Sequence, residues 1–181
     1  MDELRVKYDD RDAIKLISAY LAEHLNFDSV ILCIGTDKCI GDSLGPIVGD
    51  MLSKMVNGIN VYGTLKNPIH AINLEENIAY IKRKHPYSNI IAVDACLGDK
   101  DNIGKISIKK SPIYPGKGVG KVLPAVGDIS IIGVIDAFDI IPVHNTRLGF
   151  VFEMAEVIAM SIHRAFYLKA SIINNSDMSQ S

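Results

Sequence analysis

Apolar side chains along this chain recur in two periods, and the alternation between those periods predicts the fold. Residues 11–25 set Ala13, Ile14, Ile17, Tyr20, Leu21 and Leu25 largely three and four apart, the spacing of an amphipathic helix. The run 30–34 is continuously apolar, as in a strand buried on both faces. A polar, glycine-rich stretch (35–46) and a second amphipathic segment (47–55) follow, so this region reads strand, loop, helix. Residues 59–62 predict the next strand, ended by Gly63 and an Asn67-Pro68 turn, and 72–85 a helix stopped by Pro86. A third strand, 89–93, carries Asp94 at its end. In 104–110, Ile106 and Ile108 alternate with Lys105, Ser107 and Lys109, the pattern of a half-buried strand suited to a sheet edge. Residues 129–135 are more continuously apolar and suit an interior strand. A long helix begins near Thr146, with Leu148, Val151, Phe152, Ala155, Ile158, Ala159, Ile162 and Phe166 on its apolar side, and a tail (173–181) is expected to fray.

Strands that alternate with helices predict an α/β protein, a three-layer αβα sandwich around a mostly parallel central sheet. At 181 residues and 48% hydrophobic, the chain can bury one core, so residues 1–172 read as a single domain. The 19 basic and 21 acidic side chains leave a net charge of -2, which marks no global binder of nucleic acid or acidic membrane. Lys105, Lys109, Lys110, Lys117 and Lys121 form a local basic run that could hold an acidic partner; a solvated strand face explains it more simply. The N-terminal residues lack the apolar core of a signal peptide, and no window offers the ~18 apolar residues of a membrane span. A cytoplasmic location is therefore expected. Cys33, Cys39 and Cys96 are odd in number and lack metal-ligand spacing, which predicts free thiols, with Cys33 in the core.

The chemistry concentrates at predicted strand ends. Ligands of parallel α/β sheets bind in the crevice outside the carboxyl ends of the strands, where Asp42 and Asp94 could meet. An aspartate near a helix start also commonly caps it, so each has a structural reading as well. Gly41-Asp42-Ser43-Leu44-Gly45 matches both G-x-S-x-G and the opening block of GDSL esterases. A nucleophile elbow, however, sets its serine on the turn directly between strand and helix, and Thr36 to Gly41 intervene here. The Asp139–His144 spacing is too long for the esterase D-x-x-H pair, and Ser43 reads more simply as helix-capping. Gly116, Lys117, Gly118, Val119, Gly120 and Lys121 look like a phosphate cradle but fall one residue short of a P-loop, with Val122 where its hydroxyl belongs. Those glycines still allow close approach of a ligand or peptide. His24, His70, His85, His144 and His163 form no zinc-protease pair; His70 and His144 alone, in predicted loops, are kept as candidates.

Several separated motifs in order carry a family resemblance. Gly35-Thr36-Asp37 with Gly41-Asp42-Ser43-Leu44-Gly45-Pro46, Gly63-Thr64-Leu65 with Asn67-Pro68-Ile69-His70, Val93-Asp94-Ala95, and Pro115-Gly116-Lys117-Gly118-Val119-Gly120 together resemble the YyaC-like sporulation proteins. That group is similar to the bacterial spore germination protease and, more distantly, to the hydrogenase maturation peptidases. The resemblance implies an endopeptidase with Asp42 and Asp94 as an acidic catalytic pair, and a protein or peptide substrate such as the small acid-soluble spore proteins. Ser43, Gly45, His70, Gly116, Gly118 and Gly120 would bind substrate or an oxyanion. No cofactor is required, although a divalent metal could sit at Asp42 and Asp94. A location in the forespore or spore core, no direct nucleic-acid partner and a homo-oligomer complete the expectation. Val122 and Leu123 replace basic residues of the germination protease, and no removable pro-segment is evident. Two alternatives remain: a non-catalytic binding or regulatory module of sporulation, and a GDSL-like serine esterase.

Overall fold

The computed structural model of the chain describes residues 3–55, 58–115, 124–137 and 146–178. Gly116, Lys117, Gly118, Gly120, Lys121, Asp139 and His144 lie outside the described residues, as do the last three residues of the predicted tail. The described elements are strands β1 (Glu3–Lys7), β2 (Val30–Cys33), β3 (Asn60–Tyr62), β4 (Ile90–Gly98), β5 (Lys105–Lys109) and β6 (Ile129–Ala137), with helices α1 (Ala13–His24), α2 (Leu44–Met55), α3 (Leu74–Lys84) and α4 (Leu148–Met178).

One six-stranded sheet runs in the order β1-β5-β6-β4-β2-β3. Strands β3, β2, β4 and β6 are parallel neighbours, and β5 is antiparallel to both β6 and β1. Because strand side chains alternate between faces, each central strand feeds two cores. Ile31, Cys33, Ile91, Val93, Ile129 and Ile131 meet the apolar stripes of α1, α2 and α4. Val30, Leu32, Ile90 and Ala92 meet Leu74 and Ile81 of α3, with Ile113 and Val126 beside them. Each large aliphatic side chain buried this way stabilises the fold by about 1.5–3 kcal/mol. The architecture is the mixed α/β sandwich that the alternating pattern predicts.

Three boundaries differ from the sequence reading. Strand β1 is unanticipated, although Leu4 and Val6 alternate with Glu3, Arg5 and Lys7 as a strand should. Its pairing with β5 moves β5 off the edge of the sheet. Strand β4 does not end before Asp94: the long β6 pairs with it from Ile91 to Gly98, so Asp94 lies within the strand. Helix α4 continues to Met178, because neither glycine nor proline follows Gly149 to stop it.

Candidate active site

The loop between β2 and α2 is held against the sheet by its own backbone. The amide of Ile34 donates to the Val93 carbonyl (2.8 Å) and that of Gly35 to the Ile69 carbonyl (2.7 Å), so the chain leaves β2 between two neighbours. It then turns back: the Thr36 amide donates to the Asp42 carbonyl (3.0 Å), and the Asp42 amide to that of Cys39 (3.0 Å). A 3-10 turn, Ile40–Ser43, leads straight into α2, whose first turn tolerates Pro46 because an amide there needs no helical partner. Two glycines make this return possible. Gly35 has φ +140, and a Cβ there would lie 2.0 Å from the Asp42 carbonyl oxygen. A Cβ on Gly45 would lie 2.1 Å from the Ile34 carbonyl oxygen, so only glycine lets the start of α2 rest on the end of β2.

The register of β2 with β4, Cys33 opposite Val93, sets Asp94 directly across from the start of that loop. Asp42 and Asp94 are thus brought together across the end of β2. Asp94 is half-buried, and its Oδ1 accepts the Ala95 amide at 2.9 Å. Burial pushes its carboxyl up to about 7, the Ala95 hydrogen bond opposes that rise, and the nearby Asp42 carboxylate adds to it. Asp42 is exposed at the rim, yet partial desolvation raises its pKa too. The pair therefore holds one proton readily near neutrality, and Asp94, the deeper member, is the more favourable place for it. Beyond it on β4 lies the half-buried Cys96, whose thiol is raised first by burial and then by Asp94.

The other candidates occupy different places. Ser43 is buried, and its hydroxyl donates to the Ile40 carbonyl at 2.7 Å; this turns it into the 3-10 turn and away from any substrate. Gly45 is buried in the seat of α2. His70 follows Ile69, which bridges Ile34 from the side opposite β4. It therefore stands two strand spacings from Asp94, roughly 10 Å along the sheet. Its Nδ1 accepts the Ile72 amide (3.3 Å), and its ring lines a polar cleft of about 490 Å³ with Thr64, Asn67, Asn73 and Asn77. Cys33 is a core residue, and burial raises its thiol pKa.

One carboxylate escapes the sequence reading. Ile135-Asp136-Ala137 on β6 repeats Val93-Asp94-Ala95 on β4, and that repeat is the signal that could have found it. In both, the aspartate accepts the following alanine's amide, at 2.8 Å in Asp136. Asp136 stands opposite Leu97, farther along than Asp94, and its second oxygen accepts the Thr146 hydroxyl (2.8 Å) just before α4. Among the described residues no three His, Cys, Asp or Glu side chains gather to hold a metal ion.

A family model described as "Protein of unknown function (DUF1256)" matches residues 5–161. This chain belongs to the DUF1256 family. The matched span takes in both aspartates of the pair, His70 and Asp136. A relative, "Uncharacterized protein YyaC" of Bacillus subtilis (strain 168), is 41% identical over 162 residues that cover 85% of this chain and 79% of that one. Among solved structures, the DUF1256 chain is similar to the [NiFe] hydrogenase maturation protease HycI from Thermococcus kodakarensis KOD1, with a TM-score of 0.45 and 19% identity over 76% of this chain and 93% of that one. Among the described residues of this DUF1256 protein, no helix is long and apolar enough to cross a membrane.

Proposed function

We propose that this protein is a sporulation-associated endopeptidase of the germination-protease type, which hydrolyses a peptide bond in a spore protein through Asp42 and Asp94. The observation that carries the proposal is the convergence of the two carboxylates across the end of β2, with Asp94 holding its proton near neutral pH. The motif order shared with the germination protease supports the substrate class, the small acid-soluble spore proteins, and a location in the forespore or spore core.

The chemistry follows from the shared proton. Two adjacent carboxylates cannot both ionise cheaply. The ionised one, assigned to exposed Asp42, takes a proton from water as the water oxygen attacks the scissile carbonyl carbon. Protonated Asp94 donates a hydrogen bond to the carbonyl oxygen and stabilises the charge that develops there. As the C–N bond breaks, the amine leaves with the proton taken from water; no acyl-enzyme forms. No step is routed through a metal. The serine-esterase alternative loses support from the geometry, because the Ser43 hydroxyl is buried and already donates to Ile40.

The test is mass spectrometry of purified protein incubated with small acid-soluble spore proteins, beside Asp42→Asn and Asp94→Asn, with and without added divalent cation. Discrete cuts that vanish in both variants support the acidic-pair peptidase. Cutting that survives both substitutions overturns it. No cutting under any condition turns the reading to a binding or regulatory module.

A further inference from the structure

Helix α4 carries a feature that the core does not explain. Leu148 and Phe152, which belong to its apolar side by sequence pattern, are 54% and 50% exposed. Met160 and Tyr167 follow on the same outward face, at 42% and 70%. The exposed positions 152, 153, 156, 160, 163, 164 and 167 are spaced three or four apart wherever the stripe advances by a turn, so they form one continuous line on the helix. Helices α1 and α2 both pack against α4, which leaves this line as the outer ridge of the helical layer.

The order of residues along the ridge has a twofold pattern. Reflection about Met160 carries residue 156 onto 164 and 153 onto 167. An antiparallel copy of α4 laid on the ridge therefore sets Met160 against Met160, Glu156 against Arg164, and Phe152 beside Tyr167. Glu156 and Arg164 meet opposite charges in both halves, the isologous match that a twofold interface requires, while Glu153 falls against Tyr167 and Phe152 lies one position from it. Glu153 is engaged by the Tyr8 hydroxyl. Glu156 and Arg164, by contrast, make no ion pair among the described residues. They stand eight residues apart, too far to pair along one helix. We infer that the outward face of α4 is a self-association surface on which a second copy of this chain docks antiparallel about Met160.

The size of the ridge sets the strength. Twenty residues of helix span about 30 Å, and a ridge about 10 Å wide falls short of the ~800 Å² per partner of a standard interface. Surface beside the ridge must widen it to reach that size. The expected dimer is reversible, with a Kd on the order of micromolar. This inference is independent of the peptidase reading.

Sedimentation velocity of the full chain over a concentration series tests it. The wild type should pass from monomer to dimer, and Glu156→Arg or Arg164→Glu, each alone, should weaken the dimer by about tenfold or more through like-charge contacts. A mixture of the two single variants should dimerise again, because each then meets the opposite charge at both contacts. The double variant Glu156→Arg/Arg164→Glu should do so by itself. Met160→Glu, with an unchanged melting profile, should be monomeric. A wild type that stays monomeric to about 0.5 mM, or a dimer indifferent to these substitutions, overturns the inference.

Discussion

Asp94 sits half-buried on an otherwise apolar stretch of β4, where among the described residues one amide, that of Ala95, donates to its carboxylate. Its carboxyl rises from 3.8 to about 7. The folded protein therefore binds a proton that the unfolded chain releases between those values, and this stabilisation, present at low pH, is lost as pH rises through about 7. Asp94→Asn removes the dependence. In urea melts, the wild type should lose stability relative to Asp94→Asn from about pH 4 to pH 7 and level off above, with a slope no steeper than about 1.4 kcal/mol for each step of one in pH. For catalysis, Asp42→Asn and Asp94→Asn should each lower cleavage by about 10²–10⁴-fold. The wild-type rate should fall as pH climbs through about 7, where the pair gives up its shared proton. Ser43→Ala should leave cleavage within a few-fold and cost about 1 kcal/mol of stability from the lost hydrogen bond; an equal collapse of activity would restore the serine reading. Both aspartates of the pair are legible in the sequence as residues that follow apolar runs. Asp136 obeys the same rule, but its Ile-Asp-Ala repeat shows its meaning only beside β4.

At the scale of elements, the site is a matter of how closely α2 rests on β2. Gly45 touches backbone, not a yielding side chain, so Gly45→Ala must shift the start of α2 by tenths of an ångström or more. The expected cost is about 1–3 kcal/mol, with cleavage reduced because Asp42 moves with the turn; retention of both stability and rate would show that the seat of α2 does not position the pair. The strand-loop-helix order of this region is plain from hydrophobicity. The 3-10 turn is not, nor the return of the loop onto Gly35, because a glycine in sequence reports freedom and says nothing of what comes close. Strand β1 escapes the pattern for a different reason: five alternating residues are too short a signal until a partner strand fixes their register. Phe152 shows the converse, a residue apolar by pattern that the fold leaves in solvent.

Across the whole molecule, stability should be graded by sheet position. Strands β4 and β6 each pair on both sides, whereas β3 is a three-residue edge with every residue half-exposed. Amide hydrogen exchange should be slowest in β4 and β6, opening there only with global unfolding, and markedly faster in β3. Equal protection across the sheet would contradict that gradient. The sequence by itself determined the class of fold, since local periods of 2 and 3.6 decide which segments become strands or helices and which faces are buried. It also pointed to Asp42 and Asp94 as the candidate acidic pair, through the residue types that follow strand ends. Only the tertiary structure decided the sheet order, the extension of β4 through Asp94, the proximity of Asp42 to Asp94 and the burial that holds a proton there. Those properties arise between segments distant in the chain: pairing, close approach and desolvation depend on what lies opposite a residue, and no local pattern records its neighbours.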